Sequence, residues 1–205
     1  MRSYFLYLIK LISVCLSSLL LLGCANHVLN IDIPPLQTGS PLGEVPSKTF
    51  FFNEFEDGRA TDEVKQWGAH VYKLGKAAGT IVGDEIKQEF ERNGHKCVSA
   101  SQQSKIDFVV SGKVSMARIR WDRSSLEKTV TNFIVELTVI DSYDKSKREY
   151  SKIYESEYRF TGDPSYNGGY DLQGEVFTYL LKRALMQAVI EISTDFDLIA
   201  FLEKK

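Results

Sequence analysis

Apolar positions Ile81, Val82, Ile86 and Phe90 recur at helical spacing, with Asp84, Glu85, Lys87, Glu89 and Glu91 between them. This pattern predicts an amphipathic helix over 79–93, stopped by Asn93-Gly94 because glycine takes the left-handed cap conformation without strain. A longer stripe, Phe177, Leu180, Leu181, Ala184, Leu185, Ala188, Val189 and Ile192, predicts a second helix with a wide apolar face. Asp195 is placed to cap a short last helix carrying Leu198, Ile199, Phe201 and Leu202. Other segments alternate with a period of two. Thr49 to Phe55 is an aromatic strand, closed by a turn at Asp57-Gly58-Arg59. Ile106, Phe108, Val110, Gly112, Val114 and Met116 share one face of a long half-buried strand. Phe133, Val135, Leu137 and Val139 form another. Tyr150, Tyr154, Tyr158 and Phe160 line a third, with a turn at 141–146 and a polar glycine loop at 161–172. Residues 67–78 show no clear period. The order strand, helix, three strands, helix predicts an α+β fold: an antiparallel sheet of about four strands with two helices on one face, a two-layer sandwich.

The first 24 residues follow a different rule. Arg2 and Lys10 are the charged residues ahead of Cys24, and the uncharged run from Leu11 to Leu22 is 12 residues long. A bilayer-spanning helix needs about 20, whereas a positive start, a short apolar core and a small residue at the end describe an export signal. Leu21-Leu22-Gly23-Cys24 resembles the lipobox of bacterial lipoproteins. That resemblance implies diacylglycerol on the Cys24 sulfur, cleavage between Gly23 and Cys24, and acylation of the new amino terminus. The expected organisation is a signal over 1–23, a lipidated cysteine with a proline-rich tether over 24–47, and one periplasmic α+β domain over 48–205. The tether contains Pro34, Pro35, Pro41 and Pro46, with a short edge strand possible within Val28 to Ile33. Ala25 after the cysteine, where the lipoprotein rule places Asp for inner-membrane retention, points to the periplasmic face of the outer membrane.

Charge and cysteine content narrow the chemistry. Residues 1–23 hold two of the 25 basic residues and none of the 27 acidic ones, so the mature chain carries 23 basic against 27 acidic groups, net −4. That balance opposes nucleic-acid binding, which needs a basic footprint; Arg118, Arg120 and Arg123 read as a solvated strand end. Cys15 leaves with the signal and Cys24 is committed to lipid. Cys97 is then alone, and with Val98 beside it reads as a half-buried strand residue rather than a nucleophile. His27, His70 and His95 have no metal-ligand spacing, so no metal is expected. Glu155 and Glu157 read as a solvated strand face. The loop 162–169 lacks a phosphate-binding Lys-Ser/Thr pair, and there is no Gly-x-Ser-x-Gly elbow. No catalytic residue and no cofactor beyond the covalent lipid is expected.

Four features carry a family resemblance. They are the lipobox followed by Ile31-Asp32-Ile33-Pro34-Pro35; the aromatic strand leading to Asp57-Gly58-Arg59; Arg92-Asn93-Gly94-His95 running into Ile106 to Val114; and the tail from Ser193 to Leu202. Together they resemble the YajG-type family of uncharacterised outer-membrane lipoproteins, with a looser likeness to the lipopolysaccharide-transport plug and the penicillin-binding-protein activators. The resemblance implies an envelope lipoprotein and transfers no catalytic residue. The expected role is a non-enzymatic accessory or scaffold component of a cell-envelope complex, its partner another envelope protein. Trp121, Tyr166 and Tyr170 are the candidate partner-binding aromatics. The alternative role is binding a lipid or small ligand between helices and sheet, with the tyrosine face of 150–160 as lining.

Overall fold

The structure, a computed structural model, describes residues 25–31, 39–67, 70–98, 105–122, 128–143, 148–161 and 170–204. Nine strands and three α-helices are formed among the described residues. The strands are β1 (Ala25–Leu29), β2 (Thr49–Phe52), β3 (Glu56–Asp57), β4 (Glu63–Trp67), β5 (His70–Leu74), β6 (Lys96–Val98), β7 (Phe108–Asp122), β8 (Lys128–Asp141) and β9 (Glu149–Thr161). The helices are α1 (Ala78–Arg92), α2 (Tyr170–Ser193) and α3 (Phe196–Glu203).

The α+β sandwich is as expected, with more strands. The main sheet runs β6-β2-β7-β8-β9, and β3 joins β7 beyond β2. It is mixed rather than antiparallel: β2 lies parallel to both β6 and β7, whereas β7, β8 and β9 form the expected meander. A second sheet, β1-β5-β4, was not legible in the alternation. Its middle strand β5 buries the consecutive residues Val71 and Tyr72, one on each face, which erases a period of two.

Within the segment 24–47, expected as a tether, the described residues 25–31 and 39–47 belong to the folded body. Ala25–Leu29 pairs in parallel with β5. Leu29, Leu42 and Val45 are buried in the core, and the Ser40 hydroxyl donates to the Ser193 carbonyl at 2.6 Å. The edge strand, expected within 28–33, forms at Ala25–Leu29, and residues 32–33 lie outside the described residues. Pro41 and Pro46 adjoin buried Leu42 and Val45, so these prolines do not keep the chain off the core.

The strand at 106–116 extends to Asp122 and changes face on the way. The register with β8 slips between Val114 and Met116. A bulge inserts one residue, so inward positions pass from Val110 and Val114 to Ala117 and Ile119, and Met116 turns outward instead of into the core.

Helix α1 sits where its period placed it. Its start is unusual, because Ala77 has no capping side chain; Asp57 from β3 reaches across, and its Oδ2 accepts from the Ala78 amide at 2.9 Å. Glycine makes this approach possible. A Cβ on Gly79 would collide with the Phe55 carbonyl, and Gly83 and Gly112 bracket the Phe55 ring. α2 crosses β9, β8 and β7 and also meets α1 and β1. The buried Ser156 hydroxyl donates to the Ala184 carbonyl at 2.8 Å, tying β9 to α2. Such a bond contributes about 1 kcal/mol.

Candidate functional site

The densest polar cluster lies where β9 meets the start of α3. Period-two alternation brings Tyr150, Lys152 and Tyr154 to the helix side of β9. Asp195, in the turn between α2 and α3, faces them and is 4% exposed. Its Oδ1 accepts from the Asp197 and Leu198 amides, capping α3 as expected. Its Oδ2 accepts from the Tyr150 hydroxyl at 2.9 Å, the Tyr154 hydroxyl at 2.8 Å and Lys152 Nζ at 2.7 Å. Burial alone would raise this carboxyl, but Lys152, the two phenols and the Asp197 amide outweigh it and hold it at about 2. Burial pushes both tyrosines up from their ordinary values. At neutral pH the cluster is therefore one carboxylate with protonated donors around it, a closed structural network with no activated nucleophile.

Beside this cluster is an open groove of about 430 Å³, lined by Ile153, Tyr154, Glu155, Glu191, Phe196 and Asp197 among others. Phe196 is 79% exposed and Ile153 is 64% exposed. β9 pairs with β8 on one side and, among the described residues, ends the sheet on the other. The groove thus combines a thirteen-residue sheet edge, two exposed apolar side chains and a rim of carboxylates.

A second groove, of about 580 Å³, runs between β1 and α2 and includes Val28, Asn30, Glu175, Tyr179 and Lys182. At its edge the fold unites two histidines that the sequence separates: His27 Nε2 and His70 Nδ1 are 2.9 Å apart. That bond takes one N–H and one lone pair, with the donor set by the tautomers of the two rings. His27 also stacks on Tyr72, whose hydroxyl donates to Gln173 Oε1 at 3.2 Å. His95 stays apart, its ring held by the Leu42 carbonyl. Among the described residues, no three His, Cys, Asp or Glu side chains gather as a metal site.

Two further groups are structural. The Arg59 guanidinium beside Asp57 lowers that carboxyl to about 2, against the opposing effect of burial and with help from the Ala78 amide. This is the chemistry of the Asp57-Gly58-Arg59 motif: a carboxylate oriented by its own neighbour to hold a helix start. The Cys97 thiol is half-buried on β6, and burial, with Glu91, pushes it up to about 12, a protonated and unreactive state.

Of the residues singled out in the sequence, Gly23, Cys24 and Tyr166 lie outside the described residues, as do the side chains of Trp121 and Tyr170. Their flanking strands converge, since Asp122, Lys128 and Thr161 lie side by side at one end of the main sheet. Arg118 and Arg120 are exposed, as a solvated strand end should be, and Arg120 reaches Glu157. Phe196 and Ile153 were missed. Phe196 carried a readable signal, because it falls off the α3 stripe of Leu198, Ile199, Phe201 and Leu202. For Ile153 the signal was weaker: it is an apolar residue among Ser151, Glu155 and Glu157 on the solvent face.

No family model and no curated protein matches the sequence. Among solved structures the chain is similar to protein XCC0632 from Xanthomonas campestris, of the family model DUF330. The TM-score is 0.55 at 10% identity, over 86% of this chain and 95% of that one. At this identity the likeness is one of fold alone. Looser likenesses include the hypothetical protein CT253 from Chlamydia trachomatis, with a TM-score of 0.48 at 11% identity over 72% and 96% of the two chains. A putative lipoprotein from Caulobacter crescentus gives 0.43 at 11% over 73% and 90%. The fold is thus shared with XCC0632, and the likeness does not point to the YajG-type family in particular.

Proposed function

We propose that this protein is a lipid-anchored, non-enzymatic accessory component of the bacterial cell envelope, held by acyl chains on Cys24 at the periplasmic face of the outer membrane. The lipobox spacing and the four short YajG-type motifs support the address. The role rests on one observation, the open edge of β9 beside exposed Ile153 and Phe196. A sheet edge offers backbone donors and acceptors to an added strand. The apolar pair and the rim of Glu155, Glu191 and Asp197 suit an extended segment of another envelope protein that carries apolar and basic side chains. Charges along β9, including inward-facing Lys152, guard this edge against indiscriminate pairing. The polar clusters at Asp57 and Asp195 support a structural rather than catalytic use of the titratable groups.

The test is photo-crosslinking in intact cells from Ile153 and Phe196, compared with Trp121, Tyr166 and Tyr170. The expected result is one recurrent envelope protein whose crosslinked peptide carries basic and apolar residues. A synthetic copy of that peptide should bind the purified protein, and binding should weaken with salt and with Phe196→Glu. Adducts to lipid or glycan alone would refute docking at β9 and favour the lipid-binding alternative.

A further inference from the structure

Strand β1 begins at Ala25, the residue after the lipobox cysteine, and Ala25 is already in register with His70. Successive Cα atoms are about 3.8 Å apart, so Cys24 stands one peptide unit from the sheet. If Cys24 bears the acyl chains, there is no spacer between bilayer and domain. The β1 edge is bound to the membrane surface by its own covalent geometry.

The side chains next to this attachment suit that position. Val28 is 64% exposed. Strand rise is about 3.4 Å per residue, which puts Val28 within roughly 14 Å of Cys24. Across the groove from β1, α2 presents Tyr179, exposed and amphipathic, with Lys182 one turn further on and Glu175 one turn before it. Tyrosine is favoured at the membrane–water boundary, where its ring meets the apolar layer and its hydroxyl meets water. One cation and one carboxylate in a half-apolar groove complement a phospholipid headgroup carrying a phosphate and an ammonium. The hydrogen bond between the His27 and His70 rings ties β1 to β5 at the same place.

We propose that β1 and its groove with α2 rest on the phospholipid headgroup layer, with Val28 and Tyr179 in the interface and Lys182 against lipid phosphate. This rests on the lipidation of Cys24. The β9–α3 groove is then at the other end of α2: Ser193 lies 11 residues beyond Lys182, or about 16 Å at helical rise.

The experiment uses the mature lipidated protein reconstituted into vesicles of phosphatidylethanolamine and phosphatidylglycerol. In a Cys97→Ser background, bimane is placed at Val28→Cys, Tyr179→Cys or Phe196→Cys, and nitroxide-bearing lipids are added. Flotation with the vesicles, lost in Cys24→Ser, reports the anchor separately. The expected result is flotation with more than half of the emission quenched at 28 and 179 and almost none at 196. Flotation with bright labels at 28 and 179, or with equal quenching at 196, overturns the proposed orientation and leaves the anchor standing. Failure of the unaltered Cys24 chain to float overturns both.

Discussion

Replacing Asp195 separates three contributions that the structure places on one carboxylate. Asp195→Asn keeps a good helix cap but removes the charge, and Asp195→Ala removes both. The cap is worth about 1 kcal/mol. In the Ala variant Tyr150 and Tyr154 still hydrogen-bond each other at 2.8 Å, so one buried hydroxyl loses its acceptor, at about 1–3 kcal/mol. Lys152 adds little, since its side chain is 44% exposed. Asp195→Ala is therefore expected to cost about 3 kcal/mol and Asp195→Asn about 1–2. The assay is urea unfolding of the mature chain carrying Cys24→Ser, comparing midpoints at unchanged slope. The pH dependence has a fixed sign. The carboxyl is lowered in the fold from 3.8 to about 2, so its stabilisation is fully present above pH 3.8 and is lost as pH falls through about 2. A shift of this size corresponds to about 2 kcal/mol before solvent screening, and about 1–2 after it. The advantage of the wild type over Asp195→Asn should therefore shrink across that window. Three equally stable proteins, or a wild-type advantage constant down to pH 2, would refute the account of this cluster.

Other outcomes follow from the same structure. Leu42→Ala should cost about 2–4 kcal/mol in the same unfolding assay, because Leu42 is fully buried; a free tether would tolerate the change without loss. The Cys97 thiol should react with a disulfide reagent at pH 8 at least roughly a hundredfold more slowly in the folded chain than in urea, given its raised value. Comparable rates would show that β6 leaves the thiol open.

The sequence carried much of the fold because most elements are solvated on one face only. α1, β9 and the second half of β8 each alternate between core and water, and their periods are readable. Asp195 was legible as a cap because capping is local in sequence. The readings that failed needed distant neighbours. β5 is covered on both faces, so its pattern was silent. The bulge after Val114 reversed the faces of the rest of β7, which no period within the strand foretells.

Sequence by itself determined the acidic balance and the main helices and strands, set by counting and by local spacing, and it carries the lipobox resemblance. Tertiary structure decided what joins over long separations. It seated residues 25–29 and 40–45 on the core where prolines suggested a tether. It set Asp57 at the start of α1, brought His27 to His70, and gathered Tyr150, Lys152 and Tyr154 around Asp195. Those contacts depend on how sheets and helices stack, and the energy that selects the stacking comes from burying apolar surfaces far apart in the chain.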